Sequence, residues 1–143
     1  MKWIRWIALL VGIALFVLSF ILPAVKEVSA EPNSPGVRGF TCATLTLEMP
    51  WTKDGRSILR ESPARYFPIL FSGWINPAFL VTLALVLIKP RWRPTIVLRY
   101  VVTFMFVFCW IVFYQVHLYP RQGYFLWMFA ILLALYSNKL SRS

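Results

Sequence analysis

The sequence predicts an all-α membrane protein with four transmembrane helices, both termini in the cytoplasm and one long extracytoplasmic loop. One reason is composition: 59% of the 143 residues are hydrophobic, whereas soluble domains contain roughly 45–50%. The single core of a soluble protein of this length does not bury such an excess of apolar surface. The other reason is spacing: charged residues divide the chain into uncharged windows of 20, 23, 21 and 17 residues. Each window approaches the ~20 residues that cross a bilayer as a helix.

The predicted helices cover about residues 3–25, 66–88, 94–119 and 122–137 of a single membrane domain, 1–143. Backbone amides in lipid must bond within their own segment, which favours helices. The alternating polarity of barrel strands is missing from these windows.

Basic residues orient the predicted helices. The N-terminus, the connection between the second and third helices, and the C-terminus carry bases and no acids. Because cytoplasmic loops are enriched in Lys and Arg, these regions are expected in the cytoplasm and the 26–65 loop outside. All five acids lie in that loop: Glu27, Glu31, Glu48, Asp54 and Glu61.

The first helix has an alternative interpretation as a cleaved signal peptide. Met1–Arg5 resembles a positively charged n-region, and Val28-Ser29-Ala30 resembles a cleavage site. Against this, the apolar stretch exceeds the usual ~7–15 residues and ends well before Ala30. Intact-mass measurement distinguishes the two interpretations. A mature chain that begins at Glu31 would show that the first helix is cleaved off as a signal peptide.

The 26–65 segment is rich in Pro and Gly, which favours a loop over an independent domain. Residues 40–49 are an exception. The run Thr44–Leu47 alternates like a strand, whereas Phe40, Ala43, Leu47 and Trp51 fit one face of a helix. We favour a short helix on the outer leaflet, with an irregular lid over the helix ends as the alternative.

Small residues predict where helices approach closely. Pairs of small residues four positions apart occur in the first, second and fourth predicted helices. The third helix is instead rich in Phe and Trp, and it is expected to present much of its surface to lipid or to a partner. The pairs are Ala8/Gly12, Ala78/Thr82 and Ala130/Ala134.

No Asp or Glu lies within a predicted helix, which disfavours a proton-coupled transporter. Asn76-Pro77 is the most informative polar pair. Pro77 removes a helix hydrogen bond, and Asn76 could cap a resumed helix, so a second helix broken near its outer third is one interpretation. Broken helices mark binding sites in some transporters. We favour the other interpretation, a kink that neighbouring helices accommodate.

Cys42 and His117 are the remaining candidates for chemistry. Cys42 lies in the loop and would need a base to act as a nucleophile, and His117 is the only histidine. Cys109 lies in mid-helix, so no disulfide with Cys42 is expected. We expect no catalytic, metal or cofactor site, since no zinc spacing, phosphate loop or serine elbow occurs.

The basic turn after the second helix is expected to contact lipid headgroups through Lys89, Arg91, Trp92 and Arg93. Nucleic acid is not an expected partner despite the net charge of +10, because the bases punctuate apolar segments instead of covering a polar fold.

Four short segments resemble small bacterial inner-membrane proteins with four helices: Leu22-Pro23-Ala24-Val25, Gly39-Phe40-Thr41-Cys42-Ala43, Trp74-Ile75-Asn76-Pro77 and Gly123-Tyr124-Phe125-Leu126-Trp127. The resemblance covers most of the chain. It implies a multi-pass protein of the bacterial inner membrane and carries over no functional residue.

Three functional hypotheses follow. The first is a non-catalytic interaction or accessory subunit that packs against a membrane-protein partner or itself within the lipid bilayer. The second is a small transporter or channel component for a neutral or lipid-like solute. The third is a membrane enzyme that uses Cys42 and His117.

Overall fold

The computed structural model describes residues 2–27 and 34–140. Four long helices, two short helices and three short strands make up this part of the chain, with a 3₁₀ turn at Met49–Trp51. In chain order the elements are α1 (Lys2–Ile21), β1 (Pro23–Glu27), β2 (Val37–Arg38), α2 (Gly39–Glu48), α3 (Lys53–Glu61), α4 (Pro63–Ile88), α5 (Arg93–Val116), β3 (Leu118–Pro120) and α6 (Gln122–Leu140).

In the described part of the chain, three helices are long and apolar enough to cross a membrane: Trp3–Ile21, Pro63–Ile88 and Arg93–Val116. Only 22% to 28% of the most apolar window of each is buried within the protein, so most of its apolar side chains face outward. Water does not solvate such surfaces favourably, whereas lipid does. These helices indicate a membrane protein.

The long helices form two antiparallel pairs, α1 with α6 and α4 with α5. A Cβ at Gly12 would lie 3.0 Å from the backbone nitrogen of Ala134, and one at Gly123 would lie 2.8 Å from the carbonyl oxygen of Pro23. The start of α6 therefore lies beside the end of α1. Ala130 and Ala134 are fully buried, which confirms close packing at the predicted small residues.

The second pair, α4 and α5, is joined by the turn at Lys89–Trp92. The Phe71 and Phe108 rings lie 4.8 Å apart, and Gln115 Nε2 donates to the Ala64 carbonyl at 3.3 Å. Side chains from all four long helices meet in one buried cluster that includes Leu9, Ile75, Phe79, Val86, Val102, Phe106, Ile131 and Leu135.

One face of α5 remains exposed, as its bulky composition predicts. Arg99, Val102 and Phe106 are buried at helical spacing, whereas Phe104 and Tyr114 point outward and Tyr114 is 84% exposed. The helix therefore contributes one stripe to the core and offers the rest of its surface to lipid or a partner.

The predicted first and third helices are both too long. The first was expected to reach residue 25, yet α1 ends at Ile21 and Pro23 begins a strand. Proline lacks the N–H that a helix needs and disfavours helical geometry in the residue before it. The third was expected to reach residue 119, yet α5 ends at Val116 because His117 is left-handed, with a φ of 54°.

The strands join these two helix ends. β1 is the central strand of an antiparallel sheet in the order β2-β1-β3, with Val25 opposite Val37 on one side and Pro120 on the other. Arg121 N donates to the Ala24 carbonyl at 2.7 Å. The sheet thereby ties the ends of α1 and α5 to the start of α6, and we call this end of the bundle the loop end.

Much of the predicted 26–65 loop is helical. The helix predicted for residues 40–49 is confirmed as α2, which packs against α4 and the end of α1. A second helix, α3, begins after Thr52, whose hydroxyl accepts from Gly55 N at 3.0 Å and so caps it. The possible cleavage site at residues 28–30 lies outside the described residues.

The second helix is not broken, which excludes one of its two interpretations. α4 runs without interruption from Pro63 to Ile88 and contains both Pro68 and Pro77. Asn76 does not cap a resumed helix, because its side chain bonds to α6 instead. α2, α5 and α6 all pack against α4, and these neighbours hold the helix together despite the backbone bonds that proline removes.

Candidate functional site

A cavity of about 310 Å³ lies at the loop end, where α2 and the sheet cover the four long helices. We call it the α2 cavity. Every helix except α3 contributes to its wall, together with all three strands. Its lining consists of Ser19, Phe20, Ala24, Val25, Glu27, Val37, Gly39, Cys42, Ala43, Leu45, Thr46, Ser72, Asn76, Cys109, Val112, Phe113, Val116, Leu118, Gly123, Tyr124 and Trp127.

Most of the wall is apolar, and its serine and threonine hydroxyl groups already donate to carbonyls of their own helices. Ser19 donates to the Phe16 carbonyl at 2.6 Å, and Ser72 donates to the Ile69 carbonyl at 2.8 Å. Thr46 likewise donates back into its own helix. Hydroxyls bonded in this way have no proton left to offer a ligand, although their oxygens can still accept a hydrogen bond.

Asn76 is the polar side chain of the cavity that links two helices. Its Oδ1 accepts a hydrogen bond from Trp127 Nε1 at 2.8 Å, joining α4 to α6. An indole N–H only donates, so the atom facing it must be the amide oxygen. This bond fixes the orientation of the amide and leaves its Nδ2 group free to donate elsewhere.

Tyr124 is the second polar group without a complete set of bonds. The residue is 4% exposed, and its hydroxyl has no hydrogen-bond partner. Its ring is held by aromatic neighbours, with ring centroids 4.8 Å away at Phe113 and 5.6 Å away at Trp127. Buried polar groups are normally bonded, so this buried hydroxyl is an exception among the described residues.

Both cysteines line the same cavity, and both are free thiols. Burial raises the pKa of the Cys42 thiol from 9.0 to about 11, because an apolar environment disfavours the charged thiolate. The thiolate is the nucleophilic form. At neutral pH Cys42 therefore contributes a neutral surface that reacts slowly.

The residues selected from the sequence fall in different places. Asn76 and Cys42 line the cavity, whereas Pro77 and His117 do not. His117 is exposed at the end of α5, where its backbone N–H bonds to the Phe113 carbonyl. Within residues 2–27 and 34–140, no three His, Cys, Asp or Glu side chains lie close enough together to hold a metal ion.

The basic turn lies at the opposite end of α4 and α5, which we call the turn end. Thr95 Oγ1 donates to the Lys89 carbonyl at 3.0 Å, and Arg99 donates to the Pro90 carbonyl at 3.3 Å. Arg99 is 6% exposed, so it bonds the turn from inside. Headgroup contact by Lys89, Arg91, Trp92 and Arg93 stays a prediction.

Sequence reasoning missed most of the cavity wall. Gly123, Tyr124 and Trp127 share one face of α6 at helical spacing, and Cys109, Val112 and Val116 share one face of α5. That periodicity identifies an inward face but does not show that α2 leaves a space above it. Tyr124 and Trp127 resemble ordinary interfacial aromatic residues until their contacts are known.

Comparison with protein-family models, with curated proteins and with solved structures finds no match for this chain.

Proposed function

We propose that the chain is a four-span protein of the bacterial inner membrane, with both termini in the cytoplasm. α6 is the fourth span: it is 19 residues long and lies antiparallel to α1. The alternation of α1, α4, α5 and α6 then places the loop end outside and the turn end in the cytoplasm. This orientation puts Lys89, Arg91 and Arg93 on the cytoplasmic side, in agreement with the positive-inside rule.

We further propose that the protein is non-catalytic and binds a neutral, lipid-like molecule in the α2 cavity, as a component of a transport or accessory system. The cavity is the observation that supports this function. At about 310 Å³ it is at the small end of the roughly 300–1,000 Å³ typical of ligand pockets. A cavity of about 150 Å³ holds benzene, so this one has room for on the order of ten carbon atoms.

The chemistry of the wall favours a neutral occupant. Among the described residues of the lining, Glu27 is the only Asp, Glu, Lys, Arg or His, and it is exposed. These residues include no basic group that could pair with a phosphate or carboxylate, and a buried charge without a partner is costly. Cys42 is protonated and His117 does not line the cavity, so the geometry gives no support to an enzyme that pairs them.

Protection of Cys42 tests this function in purified, detergent-solubilised protein. The protein is treated with N-ethylmaleimide in the presence and in the absence of decane. Peptide mass then identifies how much of Cys42 is labelled. We expect decane to slow the labelling of Cys42 in the wild type. Ala43→Phe fills the cavity and abolishes the effect, whereas Thr41→Phe, on the exposed side of α2, preserves it. Equal labelling of the wild type at all decane concentrations would contradict the proposal.

The outward face of α5 favours a second candidate, the interaction subunit that the sequence predicts. Its aromatic side chains include Phe104 and Tyr114. A second copy of the chain is the partner that disulfide trapping can detect. On a Cys42→Ser/Cys109→Ser background, Val107→Cys is expected to form dimers in native membranes and Val11→Cys, on the outer face of α1, is not. Monomers for both variants would count against self-association through α5.

A further inference from the structure

Basic residues from three parts of the chain gather at the turn end. Lys89, Arg91 and Arg93 lie in or next to the turn between α4 and α5, and all three side chains are exposed. Arg99 follows within the first two turns of α5, and Arg5 of α1 lies close enough to it for the two like charges to interact. The turn end is therefore a basic surface to which both helix pairs contribute.

Among the described residues, every acidic side chain lies at the other end of the bundle, in the segment between α1 and α4. These side chains are Glu27, Glu48, Asp54 and Glu61. No Asp or Glu occurs in α1, α4, α5 or α6, so the bases of the turn end have no carboxylate partner within these helices. Like charges that stand together repel, and an anion from outside the protein would offset that repulsion.

The turn that presents the bases is held from inside. Thr95 Oγ1 donates to the Lys89 carbonyl at 3.0 Å, and Arg99 donates to the Pro90 carbonyl at 3.3 Å. On the outside, Lys89 Nζ lies 5.8 Å from the centre of the Trp92 ring. An anionic group therefore meets a turn that is already ordered, which lowers the cost of binding.

Apolar side chains lie directly beside these bases. Ile88 precedes Lys89 and is 72% exposed, and Val97 is exposed on the first turns of α5. Trp92, which is also exposed, lies between this apolar surface and the bases. An apolar band, an indole and a row of bases match the acyl chains, the interface and the phosphates of a bilayer in the same order.

We infer that the turn end is a docking surface for anionic phospholipids. Their phosphate groups contact the side chains of Lys89, Arg91 and Arg93, and Trp92 lies among the upper parts of their acyl chains. This surface is separate from the α2 cavity, which lies at the loop end. In the proposed orientation it faces the cytoplasmic leaflet, whose surface potential is negative.

Lipid-specific quenching at the turn end tests this inference. Ile88→Cys on a Cys42→Ser/Cys109→Ser background supplies one exposed thiol beside the turn, which is labelled with a coumarin maleimide. The protein is reconstituted into phosphatidylcholine vesicles that contain an increasing fraction of a lipid with a nitroxide near the top of one acyl chain. This quenching lipid is either phosphatidylglycerol or phosphatidylcholine. We expect phosphatidylglycerol to reach half-maximal quenching at a several-fold lower mole fraction than phosphatidylcholine.

Neutralisation of the turn identifies the bases that select the lipid. Lys89→Gln/Arg91→Gln/Arg93→Gln is expected to make the two lipids equal quenchers. Arg91→Lys/Arg93→Lys keeps the charge and is expected to keep most of the preference. With the native turn, high salt should weaken the preference because it screens exposed charges, and this measurement needs no change to the turn.

The matched control removes the same amount of charge from the loop end. Arg38, Arg56 and Arg60 are exposed in β2 and α3. Arg38→Gln/Arg56→Gln/Arg60→Gln is therefore expected to keep the preference for phosphatidylglycerol. Circular dichroism checks that each variant retains the helical content of the parent protein.

Equal quenching by the two lipids with the native turn would overturn the inference, and so would a preference that survives both high salt and neutralisation of the turn. An equal loss of preference in both triple variants would also overturn it, because net charge and not the turn end would then select the lipid. None of these outcomes involves the α2 cavity. Both leaflets of the vesicle have the same composition, so the result is also independent of the proposed orientation.

Discussion

Single residues at the loop end show how far the sequence can identify a site. Asn76 stands out because it is polar within an apolar window, and it does line the cavity. Its partner Trp127 is 51 positions away, and nothing local in the sequence connects the two. Cys42 was identifiable as a loop thiol, whereas its burial depends on the placement of α2 over the helix ends.

The bond between Asn76 and Trp127 gives the first prediction. Asn76→Leu and Trp127→Phe each remove one partner, so each should lower the free energy of unfolding by about 1–3 kcal/mol. Once one partner is gone, losing the other costs less, so the two effects should be non-additive by about 0.5–1.5 kcal/mol. Denaturant titration of the double-mutant cycle measures this coupling.

The matched control for that cycle combines Asn76→Leu with Trp92→Phe, at the turn end of the bundle. These two sites share no contact, so their effects should add within about 0.5 kcal/mol. A coupling as large for this pair as for Asn76 with Trp127 would contradict the assigned hydrogen bond.

The raised pKa of Cys42 gives the second prediction. Only the thiolate reacts with maleimide, so the labelling rate should rise about tenfold per pH unit below the pKa. In the folded protein this rise should continue towards pH 11, whereas in denatured protein it should level off near the ordinary value of 9.0. Stopped-flow labelling from pH 7 to pH 10.5 measures both profiles; a plateau near 9 in the folded protein would show that Cys42 is not buried.

At the scale of elements, the helices were more predictable than their ends. Four apolar windows and the helix at 40–49 were visible in the sequence, and small residues located the α1–α6 contact. Pro23 is a local signal for the end of α1 at Ile21, whereas the turn at His117 that ends α5 leads into β3, whose pairing with β1 joins Tyr119 to Lys26. Such pairing between distant segments leaves no local periodicity, and the continuity of α4 through Pro77 depends in the same way on the helices around it.

The contact between α1 and α6 gives the third prediction. Gly12→Val adds atoms where even a Cβ would lie only 3.0 Å from the Ala134 backbone nitrogen, so it should lower the free energy of unfolding by about 1–3 kcal/mol. Ala14→Val makes a similar change on the exposed face of α1 and should cost less than about 0.5 kcal/mol. Thermal unfolding in detergent compares the two variants, and equal effects would show that Gly12 does not lie at a helix interface.

At the scale of the whole molecule, charge and hydropathy predicted the long apolar helices, whereas the cavity arises from how the parts meet. The uncharged windows predicted the long helices, and the basic segment Lys89–Arg93, which contains no acidic residue, predicted the connection between α4 and α5. The α2 cavity exists because α2 and the sheet roof the bundle, and no single segment encodes that space. The proposed orientation connects these features by placing the cavity on the extracytoplasmic side.

The central proposal is that the bilayer lies between α3 and the basic turn. On a Cys42→Ser/Cys109→Ser background, Ser57→Cys and Trp92→Cys each supply one exposed thiol for a membrane-impermeant maleimide applied to intact spheroplasts. The account predicts that Ser57→Cys is labelled at once and that Trp92→Cys is labelled only after the membrane is permeabilised. Labelling of both thiols from outside, or recovery of the protein in the soluble fraction without detergent, would contradict it.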